Sequence, residues 1–307
     1  MSTPGLREAP SIKQRTAALS VFSNSSLIVL KVIAGSVTGS VAILTEAVHS
    51  SVDLVASIVA FISVRKAGEP ADEGHRYGHE KFENLAAAIE GILILVGSAV
   101  IAFEAIRRLL GHGHVHTVGF GVAVVAFSVL VNLVVSSVIA RNAAATESAA
   151  LDGDAVHLRS DALTSAAVLG GLLLVKLTGA QWVDAAVALA VALALVLTAV
   201  RLLARSSQAL VDQALPDQEI TEIRAAIAAF APRGVMGYHE LRTRRAGARR
   251  YVDLHVQFRA GTSLEQAHRM AHELQALIGA RLKGADVLIH LEPEDRVRPG
   301  EELDSES

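Results

Sequence analysis

Apolar residues recur along this chain in six long runs, at about 17–38, 41–64, 83–110, 117–140, 151–177 and 182–203. A helix needs about 20 residues to cross about 30 Å of hydrocarbon, and each run is long enough. The fourth run carries no charge over its 24 residues, whereas the others contain one or more charged or polar groups. Six runs of similar size, joined by short polar loops, predict a bundle of membrane-spanning helices. Past residue 208 the pattern changes. Asp217 is placed to cap a helix that presents Ile220, Ile223, Ile227 and Phe230 on one face. Residues 251–258 alternate, with Val252, Leu254, Val256 and Phe258 inward and Asp253, His255 and Gln257 outward. Ala246 and Gly247 mark a hairpin turn before that strand. Ser263 and Gln266 form a capping box for a helix carrying Leu264, Ala267, Ala271, Leu274 and Ile278. Val287, Leu288 and Ile289 read as a last strand, so this part is a small α/β domain.

Charge orients the bundle. An even number of spans returns both termini to one side. Arg7, Lys13, Arg15, Arg65, Lys66, Arg76, Lys81, Arg141, Arg201 and Arg205 gather at one set of helix ends, against Arg107, Arg108 and Lys176 at the other. Basic residues concentrate on the cytoplasmic side, so both termini are expected in the cytoplasm of a multi-pass cell-membrane protein. The resulting plan is an N-terminal cytoplasmic tail (1–15), a six-helix transmembrane domain (16–207), a cytoplasmic domain (208–293) and a disordered acidic tail (294–307). Residues 1–15 lack the apolar core of a cleavable signal peptide.

Composition agrees with two unlike parts. The chain of 307 residues is 51% hydrophobic and 19% charged, with a mean hydropathy of +0.42: too apolar for an ordinary soluble domain, too charged at its ends for membrane throughout. It has no cysteine, so disulfides and thiolate metal sites are excluded and any metal must bind His, Asp or Glu. Twelve histidines in so apolar a chain turn attention to metal. Nothing in the pattern suggests nucleic-acid binding.

Two motifs carry the chemistry. His49-x3-Asp53 lies in the second run and His157-x3-Asp161 in the fifth. Residues four apart share a helix face, and ionisable groups in a span are costly and mark function. Spans two and five run in opposite directions, and both pairs fall near the bilayer midplane. Brought together they give two nitrogens and two oxygens, the ligand set of a four-coordinate zinc-like site. The alternative is two unrelated polar spots, each hydrogen-bonded within the bundle. Arg159 points away from His157. Glu46 and Glu90 are further intramembrane acids, and Glu46 is as well suited to a structural hydrogen bond as to proton relay. The loop 72–81 places Asp72, His75 and His79 among Gly74 and Gly78, a composition suited equally to a cation site and to a solvated charged loop. His112, His114 and His116 form an outward-loop cluster, an opportunistic metal contact at most. The last part holds His239, His255, His268, His272 and His290.

These residues resemble the cation diffusion facilitator family of divalent-metal/proton antiporters. The resemblance covers residues 12–293 and rests on His49-x3-Asp53, on Gly-His75-Arg-Tyr-Gly-His79-Glu-Lys81 and on His157-Leu-Arg-Ser-Asp161. It implies a homodimer in membrane lipid, each protomer with six membrane helices and an αββαβ, ferredoxin-like or metallochaperone-like cytoplasmic domain. By the same resemblance His49, Asp53, His157 and Asp161 form the transport site, with a His-Asp/His-Asp set pointing to Zn2+ as substrate and regulatory ligand. Asp72, His75 and His79 form a loop site. His239, His255, His268 and His290, with Glu292, form a binuclear site at the dimer interface. Leu291 departs from the pattern where relatives supply a polar ligand, and His272 has no role. Lys81 pairs with Asp212.

The ligands imply the mechanism. Imidazole must be neutral and carboxylate ionised to hold metal, so protons compete with it. Rocking helices would expose a midplane site to each side in turn and export the cation as protons enter. Fe2+, Mn2+, Cd2+ and Co2+ suit the same ligands. A metal-activated channel and a metal-sensing scaffold are the competing classes, and four tight ligands disfavour fast passage. No nucleophile–base arrangement suggests an enzyme.

Overall fold

The fold is described here from a computed structural model, which covers residues 9–38, 41–110, 121–178, 180 and 182–296; for some positions inside the helices, His49 and Glu46 among them, only the backbone is described. His112, His114 and His116 lie outside the described residues. The chain forms two compact units, Met1–Ser207 and Gln208–Ser307.

Among the described residues, the first unit is built from six helices: α1 (Ala9–Thr38), α2 (Val41–Ala67), α3 (Lys81–Leu109), α4 (Gly121–Thr146), α5 (Ala149–Thr178) and α6 (Trp182–Leu210). Four of these, α1, α3, α4 and α6, are long and apolar enough over their described residues to cross a membrane. The other two, α2 and α5, have 27 and 30 residues, or about 40 and 45 Å at 1.5 Å per residue. The polarity of the bundle is inverted relative to a soluble protein. Phe22, Val37, Phe103 and Leu130 are exposed, while Ser20, Asn24, Ser57, Glu90, Asp154 and His157 are buried. Apolar side chains outside and polar groups inside suit a hydrocarbon solvent.

Helix α5 occupies the middle of this unit, against α4, α3 and α2, and α1 lies along α2 and α4. Small residues set the close approaches. A Cβ on Gly153 (α5) would lie 3.1 Å from Ala87 Cα on α3, and one on Gly91 (α3) would lie 2.8 Å from Leu203 Cγ on α6. Small residues at such crossings let helix backbones approach where lipid gives no hydrophobic drive. Buried hydrogen bonds supply the rest: Asp154 accepts from Ser20 at 3.0 Å and Ser57 at 3.1 Å, and Asn24 donates to Ser57 at 2.7 Å.

Two boundaries differ from the apolar runs. Helix α1 starts at Ala9, within the expected N-terminal tail, because Pro10 suits a first helical turn and Lys13 finds Glu83 on α3. Helix α4 is described from Gly121 to Thr146, beyond the uncharged run at 117–140. Its added turns are held by Asn142, which donates to Thr16 at 2.9 Å.

The second unit has the order α7 (Asp217–Ala228), β1 (Val235–Ala246), β2 (Arg249–Phe258), α8 (Leu264–Arg281), β3 (Ala285–Pro293). The sheet order is β1-β2-β3, with β1 antiparallel and β3 parallel to β2. Ile223 and Ile227 of α7, Leu274 and Ile278 of α8 and Val252, Leu254 and Val256 of β2 make one core, so both helices cover the same face of the sheet. The Ser263/Gln266 capping box is present in both directions. Asp217, expected as a cap, is instead the first helical residue after Pro216 and makes no cap hydrogen bond. Its charge, with that of Glu219, suits the positive end of the helix dipole. The hairpin joins Ala246 to Arg249 with Gly247 at φ 55°, where a side chain would be strained. After β3 the chain turns once more at Glu294–Arg296, and Glu294 accepts the Ala260 N–H at 2.7 Å. That anchor carries order past residue 294, where the acidic tail was expected to start.

Candidate metal centre

Three groups of possible metal ligands stand out among the described residues. In the membrane unit, ligand atoms of Asp53, His157 and Asp161 all lie within 4.8 Å of one another. His157 Nε2 is 3.6 Å from Asp53 Oδ1 and 3.6 Å from Asp161 Oδ2. The backbone explains why these residues meet. Asp161 is one turn from His157 on α5, and Asp53 comes from α2, packed alongside. His49 precedes Asp53 by one turn of α2, but its side chain lies outside the described residues. Arg159 is exposed, on the other face of α5.

The sequence reading gave Glu90 no role. Here its carboxylate is fully buried on α3, 3.5 Å from His157 Nδ1, on the side of the ring away from the two aspartates.

The second group is in the loop between α2 and α3. Asp72, His75 and His79 bring ligand atoms within 4.8 Å. Asp72 is 3.4 Å from His75 Nδ1 and 3.2 Å from His79 Nε2, and the two imidazole centroids are 4.6 Å apart. The loop is tightened by the Gly78 N–H on His75 carbonyl at 2.9 Å, with Gly78 at φ 91°. His79 is buried, whereas Asp72 and His75 are exposed. The His75 N–H donates to Asp72 Oδ1 at 2.6 Å and holds that carboxyl below its ordinary range, against a smaller upward push from desolvation. A low-lying carboxylate beside two imidazoles is a hard-plus-borderline donor set that zinc-like ions accept.

The third group lies on the sheet face that the helices leave open. Strand register aligns His239 with His255 and His255 with His290, and places Glu292 beside Gln257. Glu292 meets His239 Nε2 at 2.8 Å, His255 Nδ1 at 2.9 Å and Gln257 Nε2 at 3.2 Å. Burial pushes this carboxyl upward, but the hydrogen bonds from His239, His255 and Gln257 outweigh it and hold the group at about 2. His290 stands at the edge, 3.9 Å from Glu292 and largely exposed. Gln257, expected to face outward, is fully buried under Glu292.

His268 is not among them. It sits on the outer surface of α8, and its Nε2 is 3.2 Å from that of His272, one turn on. Within one chain the sheet stands between this pair and Glu292. Sequence reasoning also missed Glu240, at φ 49° in the irregularity between His239 and Arg242, 3.7 Å from His255 Nε2. A bulge re-aims a side chain in a way that alternation does not reveal. Leu291 packs on the core as an apolar residue.

A helical unit with an acid–histidine cluster inside an apolar bundle, followed by a sheet domain with a second cluster, defines a membrane transporter of metal cations. Residues 17–211 match the cation efflux transmembrane domain, and residues 215–294 match the cytoplasmic domain of cation efflux proteins. The chain belongs to the cation diffusion facilitator family and is a metal-efflux transporter, not an enzyme. It is 37% identical over 289 residues to the cation-efflux pump FieF of Serratia proteamaculans, covering 91% of this chain and 92% of that one. It is 32% identical over 277 residues to the uncharacterized transporter sll1263 of Synechocystis, covering 90% and 89%. Over 28% of its length the chain is 34% identical to a solved structure of CzrB in the zinc form, with a TM-score of 0.27, covering 98% of that one.

Proposed function

We propose that this protein exports a divalent cation, Zn2+ before Fe2+, Mn2+, Cd2+ or Co2+, from the cytoplasm in exchange for protons. The observation that carries the reading is the convergence of Asp53, His157 and Asp161 within 4.8 Å inside an apolar bundle. His49, one turn from Asp53, completes a two-nitrogen, two-oxygen set that favours zinc-like tetrahedral binding. Two carboxylates offset the charge of a dication, which makes the loaded site tolerable at membrane depth.

Proton coupling follows from the same ligands. The imidazoles hold metal only when neutral and the carboxylates only when ionised, so a proton arriving from the other side displaces the ion. Alternating exposure by helix rocking converts that competition into exchange. In this reading residues 16–207 form the transmembrane domain, both termini are cytoplasmic, and residues 208–293 dimerise and regulate.

A homodimer suits the second unit, since His268 cannot reach Glu292 within its own chain, and a second copy can supply it. Metal on Asp72, His75 and His79, and on His239, His255, His290 and Glu292, biases the protomers toward one arrangement.

The test is zinc uptake into proteoliposomes with and without an imposed pH gradient. Gradient-driven uptake with counter-movement of protons supports the antiporter. Flux that ignores the gradient and does not saturate sinks it in favour of a channel.

A further inference from the structure

Resting on the transport reading above, we infer that Glu90 is a positioning residue: its carboxylate accepts the Nδ1–H of His157 and so aims Nε2 at the ion held with Asp53 and Asp161.

The geometry is specific. His157 has two ring nitrogens, 3.5 Å from Glu90 on one side and 3.6 Å from each aspartate on the other. A neutral imidazole carries one proton, and whichever nitrogen holds it cannot ligate. A carboxylate on Nδ1 fixes the proton there and leaves the Nε2 lone pair for metal. A carboxylate behind a ligating histidine does this widely, setting its tautomer and raising its basicity.

Glu90 is built into place. Among the described residues neither the Glu90 oxygens nor the His157 ring nitrogens have a closed hydrogen bond, Glu90 is fully buried, and its carboxylate is the acceptor that stands 3.5 Å from Nδ1. Gly153, one turn before His157 on α5, leaves the space that the stem of Glu90 crosses: a Cβ there would lie 3.2 Å from Glu90 Cγ. Helices α3 and α5 thus approach closely at a level where a side chain from α3 can reach behind the ring. An isolated carboxylate at this depth is costly, and His157 is the partner that makes its presence intelligible.

The experiment measures zinc uptake at several zinc concentrations for the full-length wild type, Glu90→Gln and Glu90→Leu. Leucine removes the acceptor, and KM is expected to rise about 10–100-fold, the usual cost of losing such a partner. Glutamine keeps an acceptor oxygen and is expected to bring KM back below the range seen with leucine, toward the wild-type value. An unchanged KM in Glu90→Leu overturns the inference. So does a Glu90→Gln as impaired as Glu90→Leu, because charge and not aim would then be what Glu90 supplies. If Glu90→Leu does not fold, nitrogen-15 histidine spectra of zinc-loaded wild type, assigned against His157→Ala, decide. A proton on Nδ1 and metal on Nε2 support the inference; the reverse overturns it. Absence of any wild-type zinc uptake or binding is a different failure, that of the transport reading, and takes the inference with it.

Discussion

Lys13 of α1 holds its Nζ 2.7 Å from Glu83 Oε1 of α3; Glu83 is buried and Lys13 half-buried, with Ser148 donating to the other Glu83 oxygen at 2.5 Å. One carboxylate thereby joins α1, α3 and the start of α5. Removing one partner of a fully buried pair costs about 3–5 kcal/mol because the other charge is stranded, and less where that charge, like half-buried Lys13, can turn toward solvent. Glu83→Ala is therefore expected to lower the thermal midpoint of the bundle in detergent markedly. The double substitution Lys13→Met with Glu83→Leu should recover most of that loss. Equal midpoints for wild type and Glu83→Ala would show that the pair is not structural.

A second prediction concerns Arg250 in the cytoplasmic unit. Its guanidinium grips Glu219 at 2.7 and 3.1 Å and donates to the Lys283 carbonyl at 3.0 Å, tying α7 to the turn before β3. Arg250→Ala should destabilise this unit by about 3–5 kcal/mol. Arg250→Lys should fail to rescue it, since one ammonium cannot replace a planar fork. Calorimetric unfolding of the full chain, followed through the transition of this unit, checks both.

The third follows from Glu292. Its carboxyl, ordinarily at 4.5, is pushed up by burial but held at about 2 by hydrogen bonds from His239, His255 and Gln257. A depressed folded value means stability that is complete above the unfolded value and lost as pH falls toward the folded one. The cytoplasmic unit should therefore weaken between about pH 4.5 and pH 2. Glu292→Gln, which cannot ionise, should flatten this part of the curve. A wild-type transition independent of pH across that window would contradict the assignment.

Much of this was legible in the sequence, for identifiable reasons. Helical periodicity brings Asp161 and His157 to one face, and apolar run lengths foretell the six helices. Strand alternation places His255 opposite Leu254 and Val256. What was not legible depends on packing between distant segments. Glu90 acquires meaning only because Gly153 lets α3 approach α5. Lys13 is helical because Glu83 waits on another helix. Gln257 obeys alternation yet is buried, since Glu292 of the neighbouring strand covers it. Glu240 reaches His255 through an irregularity that no periodic pattern encodes.

The central claim is that Asp53, His157 and Asp161 carry the transported ion, and the most direct measurement is gradient-driven zinc uptake into proteoliposomes by wild type beside Asp161→Ala. The account predicts saturable uptake in the wild type and its loss in the variant, with the variant still folded in the membrane. Equal uptake by both proteins, or uptake of no divalent ion by the wild type, would contradict it.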